Sequence, residues 1–427
     1  MEYQPPEVER ELIKVHANDI SIGMYMAYPD RPWLDTPFLF QGFLLDSESL
    51  LEKVRAECEF IYIDKGKSLR VRPPKVATSI PAAVKPAEKS VMSPIDRQRM
   101  KIADPKRYEI KAPIEKAFNT AYKSREITKE SMKKALAEVK TGEGINVTRV
   151  RGSVKACVSS IVENPNALLW LSRLRNRHEY TAEHCMNVGI LAIAMGRHLG
   201  LDETALETLG LCGMLHDIGK MQIDEEILSK PGRLTEDEFS VIKGHCEKGK
   251  EILEKDPNVP KEAIEAAWGH HERIDGLGYP RGTKANTLGL YTRIISIVDA
   301  YDAITTNRSY DRSRPATEAI KILFSCRDSQ FDGWLVEEFI ACLGIYPTGS
   351  LVELRSGEGA VVIDSNKTSR LFPKISIVLD ENKRSRHPLI VDTSNYQQHP
   401  SGRTIKSVLD ENAYNIDLES VFSQFRD

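Results

Sequence analysis

Five histidines and two aspartates are strung along one stretch of this chain: His184, the pair His216-Asp217, His245, the pair His270-His271, and Asp299. The stretch, from Val147 to about Tyr346, reads as helix after helix. TRVRGSVKACVSSIVEN, HEYTAEHCMNVGILAIAMGRHLG, TALETLGLCGMLHDIGKM, TEDEFSVIKGHCEKGKEIL and IKILFSCRDSQFDGWLVEEFIACL all place apolar residues at helical spacing. Gly200 follows one run as a C-cap, and Thr235 opens another as an N-cap with Glu238 at capping-box spacing. A lone His-Asp pair says little. The whole set in one all-helical bundle points to a metal site, and imidazole with carboxylate suits Zn, Fe, Mn or Ni better than Mg or Ca.

The run LGLCGML before His216 is apolar, so His216 and Asp217 are expected at the end of a buried helix. Adjacent helical residues point about 100° apart, so neighbours can serve two metals, or one can bind while the other bridges. Lys220 lies four residues past His216, on roughly the same helical face, and a buried ammonium there calls for an anion. Gly219 is expected to let the backbone turn and substrate approach. The second cluster, HHERIDGLGYPRG, puts two histidines before a loop with Gly278, Tyr279 and Pro280 at its tip.

The rest of the chain divides by composition. Residues 1–71 read as a small β-rich module: ELIKVHA, MYMAY and CEFIYID as strands, SESLLEKVRAE as a helix capped by Ser47. Residues 72–95, rich in Pro, Ala, Ser and Lys, read as a linker. Residues 96–146 form an amphipathic connector whose apolar positions include Ile110, Ile114, Phe118, Ala121 and Ala135. Residues 147–346 are the helical domain, and 347–427 a small β-rich appendage carrying SLVELRSGEGAVVIDS, PKISIVLDE and HPLIVDT.

Charge and apolar runs narrow the classes. With 59 basic and 62 acidic side chains the net charge is −3, which argues against a nucleic-acid polymer as partner. No run of about 18 apolar residues is present, so no membrane span is expected. The start, MEYQPPEVERELIKV, has no apolar core of a secretory signal. A cytoplasmic location follows as the expectation, and the seven cysteines are read as free and buried. Cys185, Cys212 and Cys246 lie beside candidate ligands and are expected to point away from them.

HDIGK, then HHERIDGLGYP, then VDAYDAITTNRSY together resemble the HD-GYP family of cyclic di-GMP phosphodiesterases, a branch of the HD metal-dependent phosphohydrolases. GMYMAYPDRPWLDTPFLFQGF also resembles a module often found before HD-GYP domains. The resemblance implies a mainly α, HD-type metal-binding bundle and a two-metal site. It implies His184, His216 and Asp299 on one metal, His245, His270 and His271 on the other, and Asp217 bridging both. Lys220 would hold a substrate phosphate oxygen or the developing charge, and Arg308 would contact phosphate. The metals would be two divalent transition ions, iron or manganese first, nickel or zinc next. A hydroxide bridging them would cut cyclic di-GMP to linear pGpG, with GMP as a further product. The Gly278-Tyr279-Pro280 tip could engage diguanylate cyclase or adaptor proteins. The alternative from another class is a cyclic di-GMP sensor or scaffold with weak turnover.

Two departures stand out. Some members carry a Glu one turn before the first His and build a third metal site. Tyr180 stands there, and Glu179 and Glu183 are expected on other faces, so two metals are expected. Asp311 stands where members often have Lys or Arg, with Arg312 next.

Overall fold

Two short β-systems bracket a long helical run in the computed structural model. It describes residues 12–30, 43–45, 48–64, 105–173, 180–230, 232, 234–306, 314–366, 372–394, 403–409, 413–416 and 421. The chain divides into two units, Met1–Lys89 and Ser90–Asp427.

The first unit is an antiparallel sheet in the order β1-β4-β2-β3, from β1 (Leu12–His16), β2 (Tyr25–Pro29), β3 (Phe43–Leu44) and β4 (Phe60–Asp64). Val15, Met26, Ile61 and Ile63 are buried, as are Leu51 and Val54 of helix α1 (Glu48–Glu57). All three expected strand segments form. Ser47 and the 72–95 segment lie outside the described residues.

In the second unit the expected connector is α2 (Ile114–Thr141), a helix that buries Phe118, Ala121, Met132 and Ala135. It packs on α3 (Val147–Glu163), α4 (Pro165–Leu171) and α5 (Tyr180–Leu199), so it is a layer of the bundle itself. Ile110 does not join that apolar face and is 44% exposed. The centre is the pair α5 and α6 (Glu203–Leu215). They cross where two glycines meet: a Cβ on Gly213 would lie 2.7 Å from the Gly189 Cα. The missing side chains let two backbones touch, and this crossing brings His184 near His216.

Further helices are α7 (Glu225–Leu228), α8 (Glu236–Lys243), α9 (His245–Leu253), α10 (Lys261–Gly269), α11 (Leu290–Thr305), α12 (Ala316–Ser325) and α13 (Gly333–Leu343). Two runs that read as single helices are each broken. TEDEFSVIKGHCEKGKEIL divides at Gly244 into α8 and α9, with Thr235 and Glu238 forming the expected capping box. IKILFSCRDSQFDGWLVEEFIACL divides after Ser325, because Asp332 caps a new helix by accepting the Leu335 amide.

The appendage is a five-stranded antiparallel sheet, β8-β7-β6-β5-β9, from β5 (Leu351–Leu354), β6 (Gly359–Asp364), β7 (Lys374–Leu379), β8 (Ser385–Asp392) and β9 (Ile405–Val408). Val352, Val362, Ile375 and Ile377 form its core. Asn166 at the start of α4 donates to Asp364 at 2.6 Å, tying sheet to bundle. No described helix is long and apolar enough to cross a membrane.

Candidate metal centre

Three of the candidate histidines stand at helix ends. His216 caps α6, His245 begins α9 directly after α8, and His270 caps α10. The last carbonyls of a helix have no partner within it. Each of these rings donates to a carbonyl of a last turn, Ala266 O accepting the His270 amide as well. His216 Nδ1 donates to Gly213 O at 2.7 Å, His245 Nδ1 to Ile242 O at 2.7 Å, and His270 Nδ1 to Ala266 O at 3.0 Å. With Nδ1 spent as donor, each Nε2 is the atom left to face the centre, and all three turn toward Asp217.

Asp217 is 1% exposed and its two oxygens face different partners. Oδ2 lies 3.4 Å from His184 Nε2 and 3.4 Å from His216 Nε2. Oδ1 lies 3.3 Å from His245 Nε2 and 3.6 Å from His270 Nε2. Asp299, on α11, completes the first set, with Oδ1 3.1 Å from His184 Nε2 and 3.7 Å from His216 Nε2. His271 joins the second, its ring 4.1 Å from that of His270. The donor atoms of Asp217, His245, His270 and His271 lie within 4.8 Å of one another, and so do those of His184, His216 and Asp299.

These residues fit metal ions. His245 Nε2 and His270 Nε2 stand 3.3 Å apart, lone pair toward lone pair, an arrangement that a cation between them relieves. His216 Nε2 and Asp217 Oδ1 are buried without a hydrogen-bond partner. Burial pushes His245 down to about 3 and His271 well below the usual imidazole range, so both are neutral donors at pH 7. Burial would lower His216 too, yet the carboxylates of Asp217 and Asp299 overcome it and hold the ring up at about 9. A positive charge is wanted there, and a divalent cation meets that need as a proton does.

Lys220 departs from its expected place. α6 stops at Leu215, and Ile218–Gln222 form a tight 3₁₀ turn. At about three residues per turn, Lys220 returns to Asp217 rather than stacking on His216, and its Nζ lies 2.5 Å from Asp217 Oδ2. Gly219 also has another role than expected. Its α carbon packs on the backbone of α9, where an added Cβ would strike His245 O and the Gly249 amide and come 2.9 Å from Gly249 Cα. Gly219→Ala is therefore expected to lower stability by about 1–3 kcal/mol through overpacking, as measured by urea unfolding; an unchanged midpoint would contradict this packing role.

Gly278, Tyr279 and Pro280 fold back on the centre. The Tyr279 ring stacks on His271 with centroids 4.6 Å apart, and its amide donates to His271 O at 3.2 Å. Leu277 beside it is 77% exposed. Glu272, missed in the sequence, pins this loop: its buried carboxylate accepts the amides of Arg281 and Thr283 at 2.7 and 3.0 Å. The acid directly after HH was the only hint. Asp302 was missed too; its carboxylate accepts from His184 Nδ1 at 2.8 Å.

Cys185 and Cys212 are fully buried. Cys246 does not simply turn away, because its Sγ comes within 3.5 Å of His245 Nε2 at the start of α9. Burial pushes its thiol well above the ordinary range, as it pushes Cys185 to about 12, so both stay protonated. Glu183 faces α2, where Lys129 Nζ lies 3.0 Å and Arg125 Nη2 3.7 Å from its carboxylate. With Glu183 so engaged, elemental analysis is expected to find about two metals per chain. A reproducible third would show that another residue supplies the missing donor. Glu179, the Tyr180 side chain, Arg308, Asp311 and Arg312 lie outside the described residues.

Comparisons with known proteins give the chain's family. The model of the HD domain family matches residues 161–335, and that of a domain of unknown function, DUF3391, matches residues 12–150. The chain is 33% identical over 380 residues to a cyclic di-GMP phosphodiesterase of Pseudomonas aeruginosa, covering 88% of this chain and 87% of that one. It is 34% identical over 176 residues to a cyclic di-GMP phosphodiesterase response regulator of Xanthomonas campestris, covering 40% of this chain and 46% of that one. It is 35% identical over 159 residues to a 3'3'-cGAMP-specific phosphodiesterase of Vibrio cholerae, covering 37% and 36%.

Proposed function

As a member of the HD-GYP branch of the HD-domain phosphohydrolases, this chain is a hydrolase, and we propose that it cuts cyclic di-GMP to linear pGpG, which a second cut would turn into GMP. The observation that carries this reading is the divided carboxylate of Asp217, one oxygen toward each histidine set. His184, His216 and Asp299 would hold one divalent ion and His245, His270 and His271 the other, with Asp217 available to both. Iron or manganese suits these donors, with nickel and zinc compatible. When bound, two such ions supply an acidified water as nucleophile and a clamp on the phosphate.

The protein's own groups do the rest. The four Nδ1 hydrogen bonds hold His184, His216, His245 and His270 with Nε2 inward. The Tyr279 ring stacks on His271 and fixes the plane of that ring. Lys220 Nζ, beside Asp217, is within reach of a phosphate oxygen and stabilises the charge that builds on it. Arg308 holds a phosphate in the ground state. The exposed Leu277 next to Tyr279 is the face that a diguanylate cyclase or adaptor would meet.

The test is incubation of purified, Mn- or Fe-loaded protein with cyclic di-GMP, followed by chromatography. Linear pGpG is the expected first product. Binding of cyclic di-GMP with no product from metal-loaded protein would overturn the enzyme reading in favour of a sensor. Cleavage of 3'3'-cGAMP in preference to cyclic di-GMP would overturn the substrate.

A further inference from the structure

We propose that Asp302 is the positioning residue for one of the two metals, fixing His184 through its far nitrogen. The proposal rests on the two-metal reading above. His216, His245 and His270 each find a carbonyl at a helix C-terminal end to accept their Nδ1 proton. His184 cannot. It is the fifth residue of α5, Tyr180–Leu199, near the end where a helix has surplus N–H groups and no spare carbonyls. Its acceptor must come from another element, and α11 supplies it.

Asp302 lies three residues after Asp299 on α11, so both carboxylates project from one side of that helix. Together they grip a single ring. Asp299 Oδ1 is 3.1 Å from His184 Nε2, and Asp302 Oδ2 is 2.8 Å from His184 Nδ1. Asp302 is 0% exposed, and a carboxylate so placed is costly unless charge-assisted hydrogen bonds hold it. Thr306 gives its hydroxyl proton to the Asp302 main-chain carbonyl at 2.5 Å, with Oδ2 farther off at 3.4 Å, so it holds the backbone under the carboxylate.

The two metal positions therefore differ in kind. In one, His184 is backed by an anion, which fixes the tautomer and makes Nε2 a stronger donor. In the other, the two histidines with assigned Nδ1 bonds, His245 and His270, are backed by neutral backbone carbonyls. Asp302→Asn keeps the size of the side chain and removes the charge.

The experiment is a Mn²⁺ titration of chelator-treated full-length protein by calorimetry, with elemental analysis after desalting. The native chain should take up two ions. Asp302→Asn should weaken one of the two by about 10- to 100-fold and leave the other unchanged. Asp302→Glu, which keeps the charge but moves it away from His184 Nδ1, should shift the same ion in the same direction by less, and it decides the matter should Asp302→Asn fail to fold. Unchanged affinities, or equal weakening of both ions as from general loosening, would overturn the role of Asp302. Fewer than two ions on the native chain would instead overturn the two-metal reading on which it rests.

Discussion

Replacing Asp217 with alanine is expected to remove most bound metal and all measurable hydrolysis while the helical fold survives. The reason lies in the two oxygens. Oδ2 serves His184 and His216, Oδ1 serves His245 and His270, so a single truncation takes a donor from both sets at once. It also leaves the Lys220 ammonium without the carboxylate 2.5 Å away. Five imidazoles and an ammonium would then remain with Asp299 as the carboxylate among the ligand positions, so one set would lose its sole anionic donor and the other one of two. The fold should persist because its core is apolar and lies elsewhere, with α5 and α6 packed through Gly189 and Gly213. Elemental analysis and circular dichroism check the two halves. Normal metal content in folded Asp217→Ala protein would mean that the two sets do not share this carboxylate.

Lys220→Ala is expected to keep both metals and lose on the order of 10²–10³-fold in kcat, the usual consequence of losing one preorganised donor. Lys220 Nζ is bonded to Asp217 Oδ2. With divalent cations bound, that carboxylate would be balanced and the ammonium could turn to a substrate phosphate, where charge is greatest in the transition state. The loss should therefore fall on kcat more than on KM. Arg308→Ala should show the opposite balance. Retention of full kcat would remove Lys220 from the chemistry, and loss of metal would make it a support for Asp217 instead.

Much of this site could be read from residue types and order. Histidines and aspartates distributed along successive helices demand a bundle that gathers them, and the motif text around them named the family. Three of the four N-terminal strands were legible because β-branched and aromatic residues cluster in short runs, whereas the two-residue β3 was not. Helix breaks were less so. Gly244 and Asp332 end and restart helices in runs whose apolar spacing is unbroken, because a cap acts through one local hydrogen bond that periodicity does not register.

Sequence by itself determined which atoms could bind metal and roughly where along the chain they lie. The family resemblance already implied how they are divided; tertiary structure alone decided what holds them. The partition of Asp217's oxygens depends on the α5–α6 crossing, and that depends on two glycines distant in sequence. Lys220 turned to Asp217 because a helix stopped at Leu215. Asp302 and Glu272 became visible only once α11 met His184 and the glycine-rich loop closed over a carboxylate. A hydrogen bond between residues 118 positions apart leaves no periodic trace in either segment; it exists only because packing brings their ends to 2.8 Å, where a buried charge must find a partner.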